Sequence, residues 1–414
     1  MRPTRVLVVT PQYAPDFGPS APIYTALCED LHAMGCDVTV ATAFPHYAGA
    51  ERRWEGPRGL FVSREQNGVK VTRSYVYRVP RSSTWGRLLY HASFNVFATI
   101  AALRATKPDV VLADAPSLWS GLPLFVHAIF PRVPFIYTVH DIYPDVLIRL
   151  GVVRDGVLAS AIDRVERFFY ARSAKVSVLT PGFKENLVRK RVPPDKIAVI
   201  PACVDVDFVR PLPADNEVRR EMGLEGRFVV LYAGNIGMSQ DLDTLLDAAR
   251  LLAGDPRVVF VLVGEGPRKA ELEARVRADG LGNVRFSPFL PRERVPLLYA
   301  TADVALVSLK REIVTESVPS KTYTIMASGR PIVATVDPRT EVGSLLEQAR
   351  CGLCVDPGDA RALADAILRL ERDDALRADM GARGRAFVVE NYSRQVASRS
   401  YLELIRGLAK VAAS

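Results

Sequence analysis

Apolar runs too short for helices and too uniform for surface strands recur along the whole chain. In the first half they are RVLVVT from Arg5, DVTVAT from Asp37, VKVTRSYVY from Val69, DVVLAD from Asp109, FIYTVHD from Phe135 and KVSVLT from Lys175. Helical patterns such as PIYTALCEDLHAMG and LASAIDRVERFFYARS lie between them. The second half repeats the scheme with RFVVLYAG from Arg227, RVVFVLVGEG from Arg257, NVRFSPFL from Asn283, DVALVSL from Asp303, RPIVATV from Arg330 and GLCVDP from Gly352. A strand without polar alternation is buried on both faces, which calls for a parallel sheet with helices on either side. Two such series predict two doubly wound α/β domains. Between Ile200 and Arg219 prolines and acidic residues break the periodicity. The first domain is therefore placed at 1–200 and the second at 201–387, with helical residues 388–414 expected to pack back on the first.

The chain's 414 residues, 49% apolar and 24% charged, fit a soluble globular protein with sizeable cores. Met1 to Arg5 leads straight into VLVVT, a run too short for an export signal. Leu88 to Ala105 is the longest apolar stretch, but His91 and Asn95 interrupt it, so it reads as a buried or interfacial helix. Five cysteines make no disulfide framework, which fits a reducing cytoplasm. Cys351 and Cys354 have no second pair and no nearby histidine, so they read as part of a turn, not a metal or redox site.

The charge is unevenly spread. Residues 1–200 carry 25 Lys and Arg against 16 Asp and Glu, whereas the remainder carries 29 against 30. A basic first half suits nucleic acid, anionic lipid or a phosphorylated substrate. No nucleic-acid-binding motif is present. A membrane surface or a phosphorylated acceptor remains, with no nucleic acid expected.

Ligands of doubly wound domains bind beyond the carboxyl ends of the strands. PDFGPSA, TVHD, YAGNIG and VGEG stand at such ends. Gly18 permits a close backbone approach to a ligand, although such turns also merely connect elements. His140 can bond a sugar hydroxyl or move a proton, or can be a histidine satisfied at its strand end. His32, His46, His91 and His127 show no metal-ligand spacing. The turns through Gly234, Asn235 and Gly237 and through Gly264 aim peptide N–H groups where an anion can sit, without a Walker signature. In TESVPSKTYTIMASGRPIVA a helix is expected from Ser320, so that Ser320, Lys321 and its first N–H groups face an anion. Thr324 falls one turn later on the same side, and Glu316 precedes the helix. A carboxylate that grips hydroxyls beside a cation that grips phosphate describes a nucleotide-sugar site. A surface helix cap with solvated charges is the plainer alternative.

PQYAPDFG, TVHDIYPD, YAGNIGMSQDLDTLL, VGEGP, PSKTYTIMASGRPIVA and CGLCVDPGD occur in this order through nearly the whole chain. Together they resemble the retaining glycosyltransferases of family 4, most nearly the branch that builds bacterial O-antigen and capsule polysaccharides. The resemblance implies the GT-B fold, two Rossmann-like domains facing across a cleft, with a C-terminal helix returning to the first. It implies that Gly18 lies under the donor diphosphate and that His140 touches the transferred sugar. Gly234 to Gly237, with Asn235 between them, and Lys321 would hold the diphosphate, Gln240, Gly264, Ser320 and Thr324 are counted with the donor site, and Phe289 and Leu290 would meet the base. Glu316 matches the first glutamate of the family's Glu-x7-Glu motif, which binds the sugar's hydroxyls. There are three departures. The second glutamate is Thr324, the turn's usual Arg and Lys are Asn235 and Gln240, and the glycines expected after Glu316 are Ser317 and Val318.

The activity so implied is glycosyl transfer from a nucleoside diphosphate sugar, UDP being the family's common choice. Configuration would be retained, and neither metal nor cofactor is expected. The acceptor would be a glycan or polyprenyl-linked sugar at the inner face of the cell membrane, met by the basic first half through Arg81, Arg87 and the apolar segment after them. A nucleotide-sugar epimerase and a catalytically silent nucleotide-binding homologue are the alternatives.

Overall fold

In the computed structural model every one of those apolar runs contains a strand, and the strands form two separate sheets. The structure describes residues 2–16, 20–46, 54, 56, 59–77, 84–105, 107–114, 133–149, 153–154, 156–311 and 318–413. The first sheet contains β1 (Arg5–Val9), β2 (Asp37–Ala43), β3 (Phe61–Gln66), β4 (Val69–Ser74), β5 (Val110–Asp114), β6 (Phe135–Val139), β7 (Lys175–Val178) and β8 (Ile197–Val199), in the order β3-β4-β2-β1-β5-β6-β7-β8. All neighbours are parallel except β3 and β4. The second sheet is wholly parallel, with β9 (Phe228–Ala233), β10 (Val258–Val263), β11 (Val284–Ser287), β12 (Val304–Ser308), β13 (Ile332–Thr335) and β14 (Gly352–Val355) ordered β11-β10-β9-β12-β13-β14. Strand order reverses between β1 and β5 in one sheet and between β9 and β12 in the other. These are the switch points at which such sheets leave a crevice for a ligand.

The second sheet shows why its strands read as unbroken apolar runs. Val229 and Leu231 of β9 join one buried cluster, while Phe228, Val230 and Tyr232 join another on the opposite face. Residues of β10 and β12 divide in the same alternating way. Both faces are therefore dry, as the pleat requires when helices cover each side.

Two compact units result, residues 1–201 with 397–414, and residues 202–396. Residues 388–396, expected with the first domain, belong to the second instead. Val388 is fully buried in the second unit's core, and Tyr392 stacks on Tyr323 at 4.7 Å. The Val204 N–H donates to the Tyr392 carbonyl at 3.0 Å and pins that segment further. From Ala397 the last helix joins the first unit. Ser398 Oγ donates to Asp30 Oδ2 at 2.6 Å, and the Tyr401 hydroxyl lies 3.1 Å from Ser177 Oγ. No helix among the described residues is long and apolar enough to cross a membrane.

Candidate functional site

In the second unit the helices differ in how they start. Those after β13 and β14 are closed by side chains, Thr340 accepting from Gly343 N at 3.3 Å and Asp359 from Ala362 N at 2.8 Å. The three helices after β9, β10 and the β12 loop, Leu242–Leu251, Lys269–Ala278 and Ser320–Ala327, have no side-chain cap. Unsatisfied N–H groups and the positive end of the helix dipole favour an anion at such ends.

The two glycine turns pack against one another. A Cβ at Gly264 would stand 1.9 Å from the Gly234 carbonyl oxygen, so no other residue fits there. Ile236 N donates to Glu265 O at 2.8 Å and Arg268 N to Ile236 O at 3.2 Å, which locks one turn onto the other. Beneath them Arg268, buried, pairs with Asp243 at 2.7 Å and Glu271 at 2.6 Å, joining the two following helices. A further polar spine runs from Thr335 Oγ1 to Ser308 Oγ at 2.7 Å and on to the Asp241 carbonyl at 2.8 Å. These links hold the strand ends around the β9/β12 switch point.

Lys321, second residue of its helix, reaches back over this turn. Its Nζ lies 3.4 Å from Gln240 Oε1 and 4.0 Å from the centroid of the Tyr232 ring. Gly234 leaves room for it, since a Cβ there would come within 2.9 Å of Nζ. Lys321 is half-buried and has no ion-pair partner among the described residues. Burial pulls its ammonium down to about 7. Ser320 is exposed at the helix start, and Thr324 Oγ1 donates to the Ser320 carbonyl at 3.3 Å, committing its proton to the helix. Asn235 is exposed beside Gly237, whose backbone is buried. Phe289 is 56% exposed, while Leu290 is half-buried against the core.

The first unit gathers a second polar cluster at its own switch point. His140 follows β6, with Nε2 3.2 Å from the Tyr24 hydroxyl and 3.5 Å from Asp114 Oδ1. Asp114 ends β5, fully buried, and its Oδ2 accepts from Thr10 Oγ1 at 3.0 Å. Burial raises the Asp114 carboxyl above the usual range, opposed by the imidazole and the hydroxyl donors. The loop between β1 and the first helix is gripped from below by Arg73, whose guanidinium donates to the Tyr13, Ala14 and Ala43 carbonyls. Burial lowers that guanidinium to about 10.

Three expected site residues, Gly18, Glu316 and Arg81, lie outside the described residues, as does the Arg87 side chain, although its backbone belongs to the helix Thr84–Arg104. The structure brings Gly234, Gln240 and Lys321 together in the second unit, while His140 stands in the first. Sequence reasoning missed Tyr232, Asp114 and Thr10. Each ends or nearly ends a strand it had identified, so position at a strand's carboxyl end was the available signal. Among the described residues no three His, Cys, Asp or Glu side chains converge to hold a metal ion.

Two family models cover most of the chain. Residues 20–203 match the glycosyl transferase 4-like domain, and residues 215–387 match glycosyl transferases group 1. The chain belongs to this glycosyltransferase family. An Escherichia coli (strain K12) glycosyl transferase named for colanic acid biosynthesis, WcaI, is 28% identical across 97% of this glycosyltransferase and 100% of its own length. The glycosyltransferase WbjE of Pseudomonas aeruginosa is 25% identical over 80% of this chain and 84% of its own. Among solved structures, sucrose-phosphate synthase from Thermosynechococcus elongatus superimposes with a TM-score of 0.71 at 21% identity, covering 99% of this chain and 100% of that one. Anabaena HepE in complex with UDP gives 0.71 at 17% identity over 98% and 100%. These likenesses show the fold of the glycosyltransferase to be GT-B, built from two Rossmann-like units.

Proposed function

We propose that this glycosyltransferase takes its sugar from a nucleoside diphosphate sugar, UDP-linked, and passes it to a hydroxyl of a polyprenyl-linked glycan in cell-surface polysaccharide assembly. The observation that carries the donor is Lys321, an ammonium without an acidic partner among the described residues, held over a glycine turn beside an uncapped helix start. HepE has been solved with UDP and with UDP-glucose, and the name of the E. coli relative supports the glycan. Neither family model and none of the relatives named above is an epimerase.

In this mechanism the leaving diphosphate gains charge as the glycosidic bond breaks. Lys321, Ser320 and the N–H groups of Asn235 and Gly237, in the turn that Gly234 and Gly264 shape, would stabilise that charge more in the transition state than in the ground state. Gln240 would place Lys321, Thr324 would meet the ribose, and Phe289 and Leu290 the base. Gly18 would lie under the diphosphate, Glu316 would hold the sugar's hydroxyls, and His140 would bond the sugar near its reacting carbon. Departure and attack occur on one face, which retains configuration without a metal. Arg81 and Arg87 would face anionic lipid at the inner membrane surface.

The test follows nucleoside diphosphate release from UDP-sugars, with and without a lipid extract containing polyprenyl-linked glycans. Release that depends on the extract, with radiolabelled sugar moving into lipid, is expected. Conversion of the donor to an isomer without any extract contradicts the proposal.

A further inference from the structure

We propose that Tyr232 and Gln240 are positioning residues that hold the Lys321 ammonium at the diphosphate site without neutralising it. This rests on the nucleotide-sugar reading of the same turn and adds what fixes the lysine there. Three walls box the ammonium in. They are the Tyr232 ring face 4.0 Å from Nζ, Gln240 Oε1 at 3.4 Å and the side-chain-free Gly234. Tyr232 is fully buried, and its one hydroxyl proton is shared between the Asn235 carbonyl at 2.7 Å and Gln240 Oε1 at 3.1 Å. Gln240 Nε2 donates to Ser239 Oγ at 3.1 Å, so the amide oxygen is the atom turned toward Lys321. One tyrosine thus supplies the cation's seat, orients its acceptor and ties down the glycine turn at the Asn235 carbonyl.

Both partners are neutral, and that choice matters. An aromatic face and an amide oxygen locate an ammonium but leave its charge uncompensated. A carboxylate at position 240 would hold the lysine more firmly, yet would set a negative charge where phosphate oxygens must come. Neutral walls keep the cation preorganised for an anion, so little reorganisation accompanies binding.

Calorimetric titration of UDP and of inorganic pyrophosphate into the full chain tests this, alongside Gln240→Glu, Gln240→Ala and Tyr232→Phe. Thermal unfolding of each variant checks its fold. Gln240→Glu should unfold no earlier than wild type yet bind both probes at least about tenfold more weakly, from like-charge repulsion. Gln240→Ala should lose about three- to tenfold and Tyr232→Phe about threefold, since the latter keeps the ring face and loses one hydroxyl. Affinity for UDP-glucose, whose phosphates stay fully ionised, at pH 6.5 and 8.5 separates positioning from scaffolding. Burial alone lowers the Lys321 ammonium in the wild type, so a new carboxylate should keep it charged to higher pH. The pH dependence should accordingly flatten in Gln240→Glu, a change that a merely structural residue 240 would not produce. Wild-type binding matched by all three variants overturns the positioning role alone. Wild type binding neither probe overturns the donor-site reading and the positioning role together.

Discussion

Neutralising Lys321 should remove a pH step from donor binding. Burial holds the free ammonium near 7, whereas a bound diphosphate favours the charged form and must raise it. The group therefore takes up a proton on binding above pH 7. Its contribution is complete below the free-state value and fades as pH rises toward the value in the complex. Above 7 each pH unit weakens binding about tenfold, near 1.4 kcal/mol. From pH 6 to 9 the wild type should then lose roughly a hundredfold in affinity. A sugar-linked donor such as UDP-glucose is the right titrant, because its phosphates stay fully ionised across that range. Calorimetry in two buffers of different ionisation enthalpy should also register about one proton taken up per complex near pH 8. Lys321→Met should bind weakly with a flat profile, the two curves converging near pH 9. A flat wild-type profile, or a step that survives in Lys321→Met, refutes the reasoning.

Gly264→Ala drives a Cβ to 1.9 Å from the Gly234 carbonyl and should cost at least about 1–3 kcal/mol by urea unfolding. Gly254→Ala, with nothing within 4 Å, is its control and should stay within about 0.5 kcal/mol. Asp114→Asn should keep the Thr10 contact but spoil the pairing with His140, lowering turnover about a hundredfold while the donor KM moves less than about threefold. Unchanged turnover would remove Asp114 from any role with that histidine. Phe260→Ala, fully buried in the centre of β10, should lower unfolding free energy by about 3–5 kcal/mol. A urea midpoint close to wild type would show the second unit's core to be less tightly packed than described.

The two-unit α/β plan was legible because dry strands leave so plain a mark, and each of the twelve apolar runs contains a strand. Two strands were not seen. The edge strand β3 carries three consecutive exposed polar residues, Ser63 to Glu65, so it lacks the apolar run, although Asn67-Gly68, at φ 51° and 79°, is a hairpin turn pair that marks it. Strand β8, at three residues, is too short for any periodicity. The return to the first unit was placed nine residues early because helical pattern alone cannot say which core a helix serves. Val388 and Tyr392 are apolar enough for either. At the site, Lys321 and the glycine turns are visible as residue types, but the close approach of the Gly234 carbonyl, which requires a glycine at 264, is not. Tyr232 was hidden inside an apolar strand, where a tyrosine looks like filler. Only its hydroxyl contacts and the lysine above its ring give it a role.

Thermal unfolding of the purified chain with UDP, GDP, ADP and TDP, beside Lys321→Ala, tests the donor site most directly. One nucleoside diphosphate, UDP, should raise the wild-type midpoint at millimolar concentration, and Lys321→Ala should lose most of that shift. No shift with any of the four, or the same shift in Lys321→Ala, would contradict the assignment of this turn and helix start to a nucleotide diphosphate.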